Sequence, residues 1–189
     1  IYDRLGVRFT HIRPESYYQF RMERDCQRLW DSGVVALEND AFISRWVKPG
    51  TDQEEVVVLR KKDGASTYMM SEVSTYLDRS NGDFDRIIVV TDNRQAQHFS
   101  QVQRIVDQFL GPDSRHPKLE HVPFGGLRID WDGEKTLMSS RNGEVLNLSE
   151  VLDEAQRRSR AILDESGSIP ERDRSSLSDK IGCGSIIYS

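Results

Sequence analysis

The sequence predicts an α/β fold: a parallel sheet flanked by helices, with a small β-hairpin inserted. Three observations lead there. Arg86-Ile87-Ile88-Val89-Val90 is a short β-branched apolar run of the kind buried on both faces inside parallel sheets. It breaks into the polar turn Thr91-Asp92-Asn93-Arg94-Gln95. Phe99, Val102, Ile105, Val106, Phe109 and Leu110 then recur at helical spacing until Gly111-Pro112 stop the helix. A second run, Val56-Val57-Val58-Leu59, passes likewise through a polar turn toward a helix. Strand, turn and amphipathic helix make half of a βαβ unit, and in open α/β sheets ligands bind where the chain leaves the carboxyl end of a strand. Residues 91–99 are therefore expected to line a small-molecule site.

Taken in order, Pro14-Glu15-Ser16 opens a first helix whose stripe is Tyr18, Met22, Cys26 and Leu29, with Gly33 to close it. Residues 34–37 and 41–47, either side of Glu38-Asn39-Asp40, read as a β-hairpin. With the loop to residue 55 they form an inserted flap outside the central sheet. After the strand at 56–59 comes the basic turn Arg60-Lys61-Lys62-Asp63-Gly64. Thr67-Tyr68-Met69-Met70 then returns toward the sheet, and Ser71 caps a helix through Leu77. Past Pro112, His121-Val122-Pro123-Phe124-Gly125-Gly126-Leu127 reads as a strand end with a glycine pair. Asp132-Gly133 marks a turn, and Met138-Ser139-Ser140-Arg141-Asn142-Gly143 a polar loop. Ser149 is the expected cap of a helix with Glu150, Asp153 and Glu154 early and Arg157, Arg158 and Arg160 late, which suits its dipole at both ends. Residues 164–180 are rich in serine, charge and proline and read as a loop.

The totals bound the function. A chain of 189 residues suits one domain. No apolar run approaches the ~20 residues that span a bilayer. A net charge of −5 with pI near 5.4 argues against a strong nucleic-acid footprint within the chain. Cys26 and Cys183 match no metal or redox spacing, and a reducing, cytoplasmic compartment fits. Ile1 is not an initiator methionine, so the sequence reads as a piece of something longer.

No arrangement supplies a nucleophile activated by a nearby base. The four histidines are not at metal-ligand spacing, so no metal site is expected, and His98 should pack in the first turn of its helix. The Gly-rich phosphate loop is absent. What remains is polar side chains on three turns at the carboxyl edge of one sheet: Tyr68 and Glu72; Asp92, Asn93 and Gln95; and Ser139-Ser140-Arg141. Together they point to a site for a charged small molecule. The plainer alternative is that Tyr68 packs, Glu72 is solvated and Gln95 caps its helix.

Several motifs then fall in a recognisable order. Ile1-Tyr2-Asp3-Arg4-Leu5, Glu15-Ser16-Tyr17-Tyr18 and Arg21-Met22 resemble the segment after the first half of the nucleotide-binding fold in arginyl-tRNA synthetases. Asp63-Gly64 with Thr67-Tyr68 is similar to that family's D-G-x-x-T-Y. Val90-Thr91-Asp92-Asn93-Arg94-Gln95-Ala96-Gln97-His98-Phe99 resembles its V-x-D-N-x-Q-x-x-H-F. Phe124-Gly125, Met138 to Gly143, Leu148 to Ala155 and Gly182-Cys183-Gly184-Ser185-Ile186-Ile187-Tyr188 resemble its F-G, M-S-T-R-K-G, L-x-x-L-L-D-E-A and G-x-G-A-V-K-Y pieces. The likeness runs over nearly the whole chain.

This resemblance implies a class I aminoacyl-tRNA synthetase with a Rossmann-like catalytic domain. Such an enzyme makes arginyl-adenylate from arginine and ATP, with magnesium accompanying the ATP and no tightly bound cofactor. It then charges tRNA-Arg in the cytoplasm, away from membranes. Tyr68, Glu72 and Gln95 would contact arginine. Gly125, Met138, Ser139, Ser140 and Arg141 would lie on ATP, with Ser139, Ser140 and Arg141 as the catalytic groups at its phosphates. A carboxylate is the natural partner of a guanidinium. The sequence departs from the family in carrying Glu72 for aspartate, and Leu137 and Asn142 where lysines are frequent; a lost phosphate-binding charge costs about 2.7–4 kcal/mol. No His-x-Gly-His occurs. Residues 1–163 thus read as the second half of the catalytic domain, with the hairpin insertion near 34–55. Residues 164–189 read as a linker toward an anticodon-binding domain, and the isolated piece is expected to be inactive. Two alternatives stay open: a non-catalytic arginine- or nucleotide-binding paralogue, and an α/β interaction scaffold.

Overall fold

The structure, a computed structural model, describes residues 1–111, 114–125, 128–131, 134–137 and 147–188. Two compact units divide it: Arg13–Gly125, and Ile1–Ile12 with Gly126–Ser189.

In the first unit a 3₁₀ turn, Glu15–Tyr18, feeds helix α1 (Gln19–Asp31). The expected stripe is inward: Tyr18, Cys26 and Leu29 are all but inaccessible. Asp25 shares that burial, and Arg24 and Arg28 each hold its carboxylate at 3.3 Å. Strands β1 (Ala36–Glu38) and β2 (Ala41–Val47) form the expected antiparallel hairpin. Its turn places Asn39 and Asp40 at φ 50° and 64°, the left-handed region these two side chains tolerate best.

The hairpin does not stand apart from the next strand. Strand β3 (Glu54–Arg60) pairs antiparallel with β2, so residues 36–60 form a three-stranded meander. Val57 and Leu59 point inward while Val56 and Val58 are 48% and 39% exposed. An all-apolar run has no visible period, and the sequence pattern therefore hid a half-buried strand.

Helix α2 (Tyr68–Ser80) follows, and its cap is Thr67, not Ser71: the Thr67 hydroxyl accepts from the Met70 amide, and Ser71 is buried inside the helix. Strand β4 (Arg86–Asp92), helix α3 (Ala96–Leu110) and strand β5 (Lys118–Phe124) then complete the βαβ unit, with β4 and β5 parallel and in register from Arg86↔Lys118 to Asp92↔Phe124. Gly111 ends α3 at φ 83°, a value that only glycine adopts freely. Tyr76 locks the unit: its hydroxyl donates to the Pro117 carbonyl (2.7 Å) and accepts from the Leu119 amide (3.0 Å). Burial pushes this phenol's pKa up to about 12. The core runs through Leu29, Leu59, Met70, Val73, Ile105 and Val106. Ile87 faces it, but Ile88 and Val90 are 53% and 62% exposed, so β4 is covered on one face and not on both as expected.

In the second unit, β6 (Arg128–Trp131) and β7 (Glu134–Leu137) pair antiparallel. Helix α4 (Leu148–Ser166) starts two residues earlier than the sequence signals. Its cap is Asn147, in a reciprocal box with Glu150, and Ser149 lies within the first turn. The expected loop at 164–180 is mostly helix: α5 (Glu171–Ile187) packs back on α4. Pro170 caps it with Glu171 and Asp173 in the first turn, a helix start where proline had signalled a loop. Gly182 permits the contact, since a Cβ there would lie 2.7 Å from the Gln156 nitrogen and 2.8 Å from the Ala155 carbonyl carbon. Arg4 reaches both helices, donating to Asp153 and Asp179 at 2.7 Å. Among the described residues, no helix is long and apolar enough to cross a membrane.

Candidate functional site

The Asp63-Gly64-x-x-Thr67-Tyr68 stretch is a sequence of local hydrogen bonds. Asp63 accepts from the Ala65 amide (3.0 Å), and the Gly64 amide closes onto the Lys61 carbonyl (2.9 Å) at φ 84°. The Thr67 hydroxyl donates to the strand carbonyls of Val58 and Leu59 (2.7 and 3.0 Å) while capping α2. The end of β3 is thereby riveted to the start of α2, and Tyr68 becomes the first helical residue. Glu72 lies one turn on, on the same face.

The next turn is built the same way. Asp92 accepts from the Arg94 amide (2.9 Å) and chelates the Arg94 guanidinium (2.8 and 2.9 Å), which holds the Asp92 carboxyl at about 2. Asp92 is thus consumed by its own turn. A short 3₁₀ turn, Asn93–Gln95, leads into α3. Gln95 occupies the cap position without capping through its side chain, and is half-buried. The amino end of α3 is anchored on the meander by Glu55, which accepts from Gln97 (2.8 Å), Gln101 (2.6 Å) and the Trp46 indole (3.1 Å). The Gln101 and Gln97 bonds hold the Glu55 pKa down.

Helices α2 and α3 meet at a stack. The Tyr68 ring lies on the His98 imidazole with centroids 4.7 Å apart and planes at 20°. His98 in turn meets the buried Phe99 edge-on (5.2 Å, 80°). Phe99 stacks on His121 of β5 (5.4 Å, 24°), whose Nε2 shares a 2.9 Å hydrogen bond with Thr91 of β4. Burial, then the hydrogen bond and charge of Glu72, push the Tyr68 phenol up to about 12. Burial pushes the His98 imidazole down against the pull of Glu72. Tyr68 is thus held as a phenol donor beside Glu72, and burial biases the His98 ring toward its uncharged form.

Of the arginine-site candidates, Tyr68 and Glu72 are brought together, and Gln95 begins the helix turn that carries His98. They do not stand on successive edges of one sheet as expected: Tyr68 and Glu72 follow the antiparallel β3, Gln95 the parallel β4. Gly125 is exposed immediately after Phe124, the register partner of Asp92, so it shares the carboxyl edge with the Gln95 turn. Met138, Ser139, Ser140 and Arg141 lie outside the described residues. Among the described residues no cluster of three or more His, Cys, Asp or Glu is placed to hold a metal ion. Glu55 went unread because its acidic neighbours resemble a loop; the Gln97/Gln101 spacing, four apart on one helix face, was its only signal.

A family model described as class I tRNA synthetases (R), catalytic domain, matches residues 1–189, the whole chain. The chain belongs to this family. Among its relatives, the arginine–tRNA ligases of Chloroflexus aggregans and Fusobacterium nucleatum are each 30% identical over 191 residues, all of this chain and 32% of the relative. That of Chromobacterium violaceum is 29% identical over 197 residues, 33% of its length. The chain therefore spans about a third of these relatives. Among solved structures, the arginyl-tRNA synthetase of Plasmodium falciparum superposes with TM-score 0.74 at 20% identity, over 99% of this chain and 30% of that one. The Thermus thermophilus arginyl-tRNA synthetase gives 0.69 at 19%, over 89% and 33%. The class I synthetase fold is common to all three.

Proposed function

We propose that the chain is the part of an arginine–tRNA ligase that supplies the arginine pocket and one side of the ATP site. Tyr68, Glu72 and Gln95 bind the arginine side chain. Gly125, Met138, Ser139, Ser140 and Arg141 hold ATP with its magnesium, and Ser139, Ser140 and Arg141 steady the phosphates. The arginine carboxylate attacks the α-phosphorus and pyrophosphate leaves; a terminal ribose hydroxyl of tRNA-Arg then attacks the adenylate carbonyl and AMP leaves, in the longer cytoplasmic enzyme. Positioning and electrostatics supply the catalysis.

One observation carries this reading: a protonated phenol and a carboxylate meet at the head of α2, against the first turn of the helix that Gln95 opens. A guanidinium presents planar donors to just such a carboxylate, whereas an ammonium is a point charge without that fork. Titration calorimetry of the chain with arginine, lysine and ATP tests it. Arginine should bind and lysine should not, and Glu72→Gln should weaken arginine about 10- to 100-fold, the range for one charge-assisted bond. Silence toward arginine, or equal binding of lysine, would sink the reading. Glu72 in place of aspartate, with Leu137 and Asn142 in place of lysines, favours a second reading as a non-catalytic arginine-binding paralogue. Arginine-dependent ATP–pyrophosphate exchange by the longer protein separates the two.

A further inference from the structure

We propose that His98 is a positioning residue of the arginine pocket: its imidazole ring underlies the Tyr68 ring and fixes the phenol beside Glu72. This rests on the reading of Tyr68, Glu72 and Gln95 as that pocket. Tyr68 is the first residue of α2 and is 51% exposed, with no neighbouring helix turn before it to hold its ring. Among the described residues the aromatic ring it stacks on is His98, with centroids 4.7 Å apart. His98 cannot yield, because Phe99, 2% exposed, anchors the same turn in the core and is itself stacked on His121. A ladder of four rings thus runs from β5 out to the pocket and ends on Tyr68.

The chemistry of the ring matters as much as its shape. Among the described residues His98 Nε2 is buried with no hydrogen-bond partner, so this nitrogen is not spent on a structural bond. Burial favours its uncharged form, against Glu72, which faces it from α2. An uncharged ring makes no ion pair with the Glu72 carboxylate, whereas an imidazolium would compete with the guanidinium for it. A histidine also sits three residues after Gln95, one turn along α3, so one helix face carries both a direct contact and the support for another.

The test uses the 189-residue chain and two variants, His98→Leu, which fills the space without a flat π face, and His98→Phe, which restores the face. Arginine affinity is read by calorimetry, stability by urea unfolding, and the Tyr68 ring by the NMR shifts of its aromatic protons, assigned by their loss in Tyr68→Phe. Loss of one aromatic stack predicts arginine binding weakened on the order of three- to tenfold in His98→Leu, with recovery in His98→Phe. The Tyr68 protons should lose their ring-current shift in the first variant and regain it in the second, even without arginine. Arginine binding unchanged in His98→Leu would overturn the role of His98 while leaving the pocket intact. Equal loss in both variants would also overturn it, since a face alone should rescue. If the unaltered chain binds no arginine, the pocket reading itself falls, and the role of His98 falls with it. A His98→Leu chain that unfolds is judged on His98→Phe alone: near-normal affinity with the ring shift intact upholds the proposal, and lost affinity overturns it.

Discussion

At the scale of single residues, the chain spends polar groups on fixing its turns before any are left for a ligand. Thr67 is the economical case, one hydroxyl serving two strand carbonyls and a helix cap. Thr67→Val should destabilise the Arg13–Gly125 unit by about 1 kcal/mol, the usual value of a lost cap, seen as a lower urea midpoint at unchanged slope. Tyr76→Phe should cost more, about 1–3 kcal/mol, because the Pro117 carbonyl and Leu119 amide lose their buried partner. Asp92 gives the pH dependence. Its carboxyl is held below the ordinary range by Arg94, so the contribution of this pair is complete above pH ~4 and is lost as pH falls through about 2. Carbon-13 NMR of the Asp92 carboxyl should titrate near 2, and Arg94→Ala should return it toward 3.8.

At the scale of elements, what could be read from the sequence was what repeats or punctuates. The α1 and α3 stripes, the Asn39-Asp40 turn, the Gly111 stop and the β4–α3 succession all carry a local signature, and all stand where it put them. The larger errors have a different cause: partners outside the segment being read. Val56 to Leu59 reads as central because nothing in the run says that β2 lies beside it. The serines and charges of residues 164–180 read as loop because their helix is held from outside. Arg174 bonds Asp164 (3.0 Å) and the Ile169 carbonyl (2.6 Å), Arg160 pairs with Glu171, and Gly182 fits against Ala155. Gly182→Ala should therefore cost about 1–3 kcal/mol by driving a methyl into the α4 backbone. Faster amide exchange along α5 is the expected signature. Tyr68 could be singled out from the Asp63-Gly64-x-x-Thr67-Tyr68 stretch; that its ring lies on His98 required the packing of α2 on α3.

At the scale of the molecule, one face of the parallel pair is left open among the described residues. Ile88, Val90, Val122 and Phe124 lie on one face of β4 and β5, and each is at least 40% exposed. Contiguous apolar surface of this kind binds hydrophobic dye. The double variant Ile88→Lys, Val90→Lys should lower dye fluorescence with little change in the urea midpoint, because no packing is lost. Arg4 has a different consequence. It ties residues 149 and 175 positions away in the chain, so the pair closes a very long loop. The closure entropy of so long a loop favours formation of this contact late in folding. Arg4→Ala should accordingly leave the refolding rate of its unit almost untouched and show itself as faster unfolding: the guanidinium works as a latch on the finished fold, and not as part of its nucleus.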